Sequence, residues 1–353
     1  MNRQIKPNLL PLLVGLVLLI WIISGFFYYQ ISHPAGKSTQ AIAISILPGA
    51  TLKQISSQLE SHNLIRSASA FRLLANIQKK QTHIQVGEYE LNQSMLPMDI
   101  LKAITSGKTV LHPVTIPEGY RITEIAELLA EKISINKKEF IKETRSKDLI
   151  KTLHITSDSL EGYLFPETYH FSKHTPEQKI VQAMLNTFKQ RITNRNISDQ
   201  IKKSDMSLHE IITLASLIEK ETGMNDERKH ISSVFHNRLH RNMRLQTDPT
   251  VIYAIEEFDG NIRKKDLNID SPYNTYRYKG LPPGPIANPG IKSIVAALNP
   301  TSSNHLYFVS RKDGSHHFSS NLKEHNRAVQ KYQLKKNHTA LAKTNLQLTE
   351  ELL

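Results

Sequence analysis

Glu219 and Glu221 stand two residues apart near the end of a segment with clear helical character. Ser207-Leu208-His209-Glu210 has the spacing of a capping box, and Gly223 supplies a stop. At about 100° per residue with Leu208 at zero, Ile211, Ile212 and Ala215 mark a buried stripe. Glu219 falls near 20°, inside that stripe, and Glu221 near 220°, on the far side. The phase therefore predicts a solvated Glu221 with an ordinary pKa. It predicts a Glu219 turned to the core or the floor of a cleft, where burial disfavours the carboxylate and keeps a proton available near neutral pH. A carboxylic acid poised in this way suits cleavage of a glycosidic bond, whose leaving oxygen must be protonated as it departs. The competing reading pairs Glu219 with an arginine such as Arg228 or lets it escape to water.

Downstream loops carry side chains suited to a sugar. Gln246, Asp248, Tyr273, Asn274 and Tyr276 lie in RLQTDPT and SPYNTY, and a rigid GLPPGPIANPG loop follows. Amides and hydroxyls bond sugar hydroxyls, while aromatic faces cover the apolar side of a pyranose ring. Asp248 precedes Pro249, so it suits the start of a turn or helix as well as direct chemistry. The 353 residues include no Cys, which excludes a disulfide scaffold, thiolate metal sites and a thiol nucleophile. His236 and His240 share a helix face, but HNRLH lacks the Glu of a zinc-protease motif, so a solvated surface pair is expected and no metal or cofactor is called for. His317 and His325 fall in a Gly/Ser/His stretch that suits structural roles or substrate contact. No phosphate-binding loop, dinucleotide fingerprint or serine-nucleophile arrangement is present.

Several elements must position these groups. Lys+Arg is 45 against Asp+Glu 32, a net +13 that suits an anionic lipid surface or an acidic polymer. From Pro7 to Gly36 there is no charged residue, and LLPLLVGLVLLIWIISGFFYY is long enough to span a bilayer. Arg3 and Lys6 precede it, which places the amino terminus in the cytoplasm and the remainder outside. A cleaved signal peptide would have a shorter apolar region. Export makes nucleic acid an unsuitable partner. Two phrases about 70 residues apart, beginning ILPGATL and IPEGYRI, both read as strand, Pro/Gly turn and amphipathic helix, which suggests an internal duplication. The first continues through a helix at Phe71–Leu74 to the alternating strand Gly87–Leu91 and another helix. That β-α-α-β order resembles a LysM-like glycan-binding module, with a plain α+β spacer as the alternative. The expected organisation is a cytoplasmic stub (1–7), a transmembrane helix (8–30), a linker (31–43), the LysM-like module (44–110), a second β-turn-α unit with its connection (111–159), a mainly helical catalytic domain with short strands (160–332) and a polar tail (333–353). The fold class is α+β.

SLIEKETG, RLQTDPTVIY, YNTY and GLPPGPIANPG, in this order and with GYLFPETY and the amino-terminal anchor, closely resemble the endolytic murein transglycosylases, the YceG-like family. The resemblance covers nearly the whole chain and is strongest over 160–332. It implies that the first Glu of the EKET segment, Glu219, is catalytic. It implies, more loosely, that Gln246 and Tyr273-Asn274 line the sugar cleft. The implied reaction cleaves the β-1,4 bond between N-acetylmuramic acid and N-acetylglucosamine without adding water, leaving a 1,6-anhydro end. One carboxyl then acts first as acid and later as base, whereas the usual glycosidase uses two, for which Glu221 or Asp248 is available. The implied setting is the bacterial inner membrane, with the catalytic part on the periplasmic side acting on new glycan strands beside glycan polymerases such as penicillin-binding proteins. Two other readings remain: a non-catalytic glycan-binding scaffold for wall-synthesis enzymes, and a two-carboxylate muramidase.

Overall fold

The computed structural model describes residues 9–334. The expected cytoplasmic stub, with Arg3 and Lys6, and nearly all of the expected tail lie outside the described residues. Among the described residues, fourteen α-helices and six short strands alternate in a mixed α+β order. The first part holds α1 (Leu9–Ser32), β1 (Ile42–Ile46), α2 (Leu52–Ser61), α3 (Ala68–Ile77), β2 (Gly87–Leu91), α4 (Pro97–Ser106), β3 (His112–Thr115), α5 (Ile122–Ile133), α6 (Lys137–Glu143), α7 (Lys147–Lys151) and β4 (Thr168–Phe171). The second holds α8 (Glu177–Ile192), α9 (Arg195–Lys203), α10 (Leu208–Glu221), α11 (Arg228–His240), α12 (Asp248–Ala254), α13 (Ile291–Leu298), β5 (Tyr307–Ser310), β6 (His316–Ser319) and α14 (Leu322–Val329). Among the described residues, β1 pairs with β2, β3 with β4 and β5 with β6.

The chain divides into two compact units, one built mainly from residues up to Pro113 and the other from Val114 onward, with short exchanged segments at 132–135 and 170–176. In the first unit, α1 contains a 22-residue apolar stretch, Pro11–Ser32, with mean hydropathy 2.3 and none of its best window buried. That length and composition suffice to cross a bilayer. Beyond it, β1 and β2 pair antiparallel with Ile44 opposite Tyr89. Alternation turns Ile44, Ile46, Tyr89 and Leu91 to one face, where Ile55, Leu59, Phe71, Leu74, Ile100 and Ile104 cover them. A two-stranded ribbon is marginal by itself, and this helical cover is what stabilises it. Thr51 and Gln54 form a complete capping box at the start of α2. Gly107, at φ 72°, ends α4 in the left-handed conformation.

Both strand-turn-helix phrases fold as the sequence suggests, and both turns use a left-handed glycine, Gly49 at φ 77° and Gly119 at φ 79°. Their helix starts differ. In the second unit, the carboxylate of Glu161 accepts the Ile122 N–H of α5 at 3.2 Å, from 39 residues away.

The second unit is organised around α10. Every residue from Ile211 to Ile218 is buried, including Thr213 and Ser216. Ile231, Val234 and Phe235 of α11 and Ile294, Ala296 and Ala297 of α13 are part of the same buried set. A helix enclosed all round has no solvent face, so its phase no longer separates a buried glutamate from a solvated one.

Candidate active site

The two glutamates at the end of α10 face different structures. Glu219 has a side chain 6% exposed, in an ion pair with Arg228, itself 5% exposed. One carboxylate oxygen accepts Arg228 Nη2 at 3.0 Å and the other accepts the Gly290 N–H at 2.9 Å. Arg228 also donates to Ser293 Oγ at 3.0 Å and to Asn225, and its guanidinium lies 3.8 Å from Glu118. Nearby, the Gly119 N–H reaches the Asn288 carbonyl at 2.9 Å and the Asn288 N–H returns to Tyr120 at the same distance. Glu219 thus fastens the GPIANPG loop and α11 to α10. The expected pairing of Glu219 with an arginine is observed, with Arg228 as the partner.

Glu221 departs from its expectation of an exposed position and an ordinary pKa. It accepts a hydrogen bond from Thr247 Oγ1. Burial pushes its carboxyl from 4.5 up to about 7, with the charge of Asp248 adding to the rise, while the Thr247 bond and His316 oppose it. The far side of α10 was itself apolar: Leu217 and Leu214 stand four and seven residues before Glu221, on its face. That was the signal in the sequence for a covered Glu221.

Glu221 lines a cavity of about 440 Å³ together with Gln246, Asp248 and Tyr276. Arg238, Tyr307, His325 and Asn326 complete its polar wall, and Leu245, Phe308 and Leu322 give it apolar surface. Three of the sequence candidates therefore meet Glu221 rather than Glu219. Asp248 opens α12, with Pro249 in its first turn, and accepts the Tyr276 hydroxyl at 2.5 Å. Gln246 has φ 50°, a left-handed conformation uncommon for this residue type. Its N–H bonds the Thr275 carbonyl at 3.2 Å. Arg238 holds the same segment from below: Nη1 donates to the carbonyls of Arg244 at 3.0 Å and Leu245 at 2.9 Å and reaches Gln246 Oε1 at 3.3 Å. Its guanidinium lies 4.9 Å from the Tyr307 ring centroid.

The other two loop candidates are elsewhere. Asn274 is fully buried, 0% exposed, and its amide nitrogen is spent on the Leu267 and Ile269 carbonyls at 3.0 and 2.8 Å. Its oxygen accepts the Tyr276 N–H at 3.0 Å, so it braces the loop and presents nothing to the cavity. Tyr273 lines a separate cleft and packs on Tyr253 with ring centroids 4.8 Å apart. His236 bonds the Ala297 carbonyl at 2.8 Å, so it is tied to α13 instead of standing solvated with His240. Among the described residues no group of three His, Asp or Glu is placed to hold a metal. His325 stacks on Tyr307 at 5.1 Å, and burial lowers its pKa, which favours the neutral imidazole. Arg238, Thr247, Tyr307 and Asn326 were not singled out from the sequence. They come from separate segments, and no local pattern joins them.

The arrangement is a polar, partly covered groove holding one carboxyl near its midpoint of ionisation at neutral pH. A second carboxylate, a carboxamide and a phenol stand on the same walls. Such a site can deliver a proton to a leaving oxygen and take one back, with hydrogen-bonding groups arranged to hold a polyhydroxylated ligand.

The sequence profile of the YceG-like family matches residues 44–331. An endolytic murein transglycosylase of Bacillus subtilis (strain 168) is 38% identical over 335 residues, covering 90% of this chain and 92% of the relative. One from Streptococcus pneumoniae serotype 2 is 31% identical, and the match covers 92% of this chain but 65% of that longer protein. A crystal structure of a YceG-like protein from Listeria monocytogenes superposes with a TM-score of 0.57 at 36% identity, covering 82% of this chain and 99% of that one. On sequence and on fold alike, this chain belongs to the YceG-like family.

Proposed function

We propose that this chain is a membrane-anchored endolytic murein transglycosylase with two candidate acids, Glu219, which the family resemblance implies, and Glu221, which lines the cavity, and that Glu221 is the general acid. The observation that carries the choice of Glu221 is geometric: it lines the 440 Å³ cavity together with Gln246, Asp248 and Tyr276, and the rise of its carboxyl on burial agrees with an acid role. Glu219 is committed to Arg228 and Gly290, two donors that a leaving oxygen would have to displace. The names of the relatives support murein as the substrate.

In this mechanism the neutral Glu221 protonates the glycosidic oxygen between N-acetylmuramic acid C1 and N-acetylglucosamine O4. The C1–O bond breaks and positive charge develops at C1. The carboxylate left on Glu221 then accepts the proton of the muramoyl C6 hydroxyl, whose oxygen bonds C1 and closes the 1,6-anhydro ring. Protons balance, and no water is consumed. A carboxyl near pKa 7 serves both halves because neither direction of transfer is strongly uphill at neutral pH. Gln246 and Tyr276 bind sugar hydroxyls on the cavity wall. Asp248, paired with the Tyr276 hydroxyl, supplies negative charge beside the developing cation.

Asp248 also favours a second reading. Two carboxyls on one cavity are the equipment of a hydrolase, in which the second activates water. Digestion of defined glycan strands separates the cases by mass, since a hydrolytic end is one water heavier than an anhydro end. Wild type is expected to give anhydro ends. Glu221→Gln is expected to give no products and Glu219→Gln to keep cutting. Activity in folded Glu221→Gln, with loss in folded Glu219→Gln, would return the acid role to Glu219.

The remaining parts of the reading concern location. The apolar α1 supports a single-pass anchor in the bacterial inner membrane, with the catalytic unit on the periplasmic side. The β-α-α-β order of the first unit supports a LysM-like glycan-binding role. An anchor keeps the enzyme within reach of newly made strands and so of glycan polymerases. Protease protection in oriented vesicles tests the topology.

A further inference from the structure

The second unit holds another cleft, of about 630 Å³, between the α6–α7 region, the segment that follows it and the loop bearing Tyr273. Arg145, Lys147 and Lys151 line it, against Asp158 as its acidic member. Among the described residues none of those three cations takes part in an ion pair, although surface lysines elsewhere in the chain, Lys102 and Lys142, are paired with acids on their own helices. Lys147 and Lys151 are four apart on α7, so the helix presents both on one side. Ile155 and Pro283, over the buried Ile150, give the same cleft apolar lining. The cleft therefore combines three exposed cations with an apolar wall.

One loop borders both cavities. Tyr276 faces the cavity of Glu221, and Tyr273, three residues earlier, faces the basic cleft. Tyr273 packs on Tyr253 of α12, the helix that begins with Asp248. A polymer on the Glu221 side thus meets the basic cleft across a single loop. Murein strands carry short peptides on their lactyl groups, and these peptides hold free carboxylates and small aliphatic side chains.

We infer that the basic cleft of Arg145, Lys147 and Lys151 binds the carboxylates of the peptide substituents on a murein strand. The inference rests on the substrate proposed above and extends it from the glycan to its peptides. The cations attract the carboxylates, and the half-buried Ile155 and exposed Pro283 contact the aliphatic groups. Glycan stripped by an amidase keeps only the lactyl carboxylate held close to the sugar ring and loses the more distant peptide carboxylates and aliphatic groups, so it gains little from the cleft. The cleft thus makes peptide-bearing strands the preferred substrate through binding, with the chemical step unaffected.

The test uses the full chain, with Arg145→Ala/Lys151→Ala as the variant. Kinetics are measured on peptide-bearing strands and on the same strands stripped of peptides by an amidase. Exposed ion pairs are worth up to about 1 kcal/mol, or roughly fivefold in affinity, each. The expected result is a KM raised about tenfold on peptide-bearing strands with kcat unchanged, and a KM within about twofold of wild type on stripped strands. The difference should shrink at high salt, and Arg145→Lys should keep most of the wild-type value. Equal effects on both substrates, or none on either, overturn the inference, as does a phosphodiester polymer that competes better than the free peptides. Equilibrium binding of both strand types in a Glu221→Gln background separates the two claims. A chain that cuts nothing but shows the peptide-dependent loss of binding refutes the catalytic reading and keeps this one.

Discussion

Replacing Glu219 and Glu221 in turn by Gln should move stability and activity in opposite directions. Glu219→Gln leaves the guanidinium of Arg228, 5% exposed, without its closest anion. Breaking a buried pair from one side costs about 3–5 kcal/mol. Here Glu118 at 3.8 Å, together with Asn225 and Ser293, remains beside Arg228 and reduces the loss to about 2–3 kcal/mol. For a unit of this size that lowers Tm by roughly 5–10 °C. Glu221→Gln replaces an acid whose carboxyl is raised from 4.5 to about 7 by burial. At about 1.4 kcal/mol per tenfold change in proton affinity, that gap corresponds to about 3 kcal/mol once the group is forced to ionise. Because Glu221 is only half-buried and lines an open cavity, about 2 kcal/mol is the better figure. The sign follows from proton linkage. The folded state binds this proton more tightly than the unfolded state, so the contribution is complete below about pH 4.5 and is lost as pH rises through about 7. Glu221→Gln escapes that loss and should melt roughly 4–8 °C above wild type at pH 8, with little difference at pH 4.5. Glu161, raised to about 8 by burial, titrates in both proteins and cancels in the comparison. Calorimetry at pH 4.5, 6 and 8, beside strand digestion by each variant, reads the whole pattern. A Glu219→Gln protein with wild-type Tm and no activity, or an active Glu221→Gln, would refute the division of labour between the two glutamates.

Three further outcomes follow from the same geometry. With Glu221 as the proposed acid, the cleavage rate at saturating substrate should fall as pH rises through about 7, where its carboxyl loses the proton; a rate that stays flat to pH 9 counts against the proposal. Gly162→Ala should lose about 3 kcal/mol in chemical denaturation: Gly162 has φ 89°, and an added Cβ would lie 2.5 Å from the ring carbons of Pro285 and 3.0 Å from Ile212. Asn274→Ala should cost about 2–3 kcal/mol and raise KM, since it removes the bonds to Leu267 and Ile269 and the acceptor for the Tyr276 N–H; an unchanged KM would mean that Tyr276 does not need this brace.

The linear chain determined whatever depends on local periodicity, capping or apolar length. Leu9–Ser32 is a helix because an uncharged apolar run offers its backbone no side-chain partners, and the i to i−4 bonds of a helix satisfy it within the segment. Ser207 and Glu210 start α10 through bonds made within one turn. Both glycine turns are required by their left-handed φ. The candidate acid was different. Helical phase assumes a helix with one buried face and one wet face, and α10 is covered from Ile211 to Ile218 on every side. Only the packing of α11 and the GPIANPG loop on one side, and of the 245–248 segment, β5 and α14 on the other, decided what each glutamate would meet. It gave Glu219 the guanidinium of Arg228, nine residues away, and gave Glu221 a cavity with walls from residues 238 to 326. Desolvation and charge pairing act through space over a few ångströms. The pKa of a side chain is therefore a property of its neighbours in the fold, which its position in the sequence does not specify.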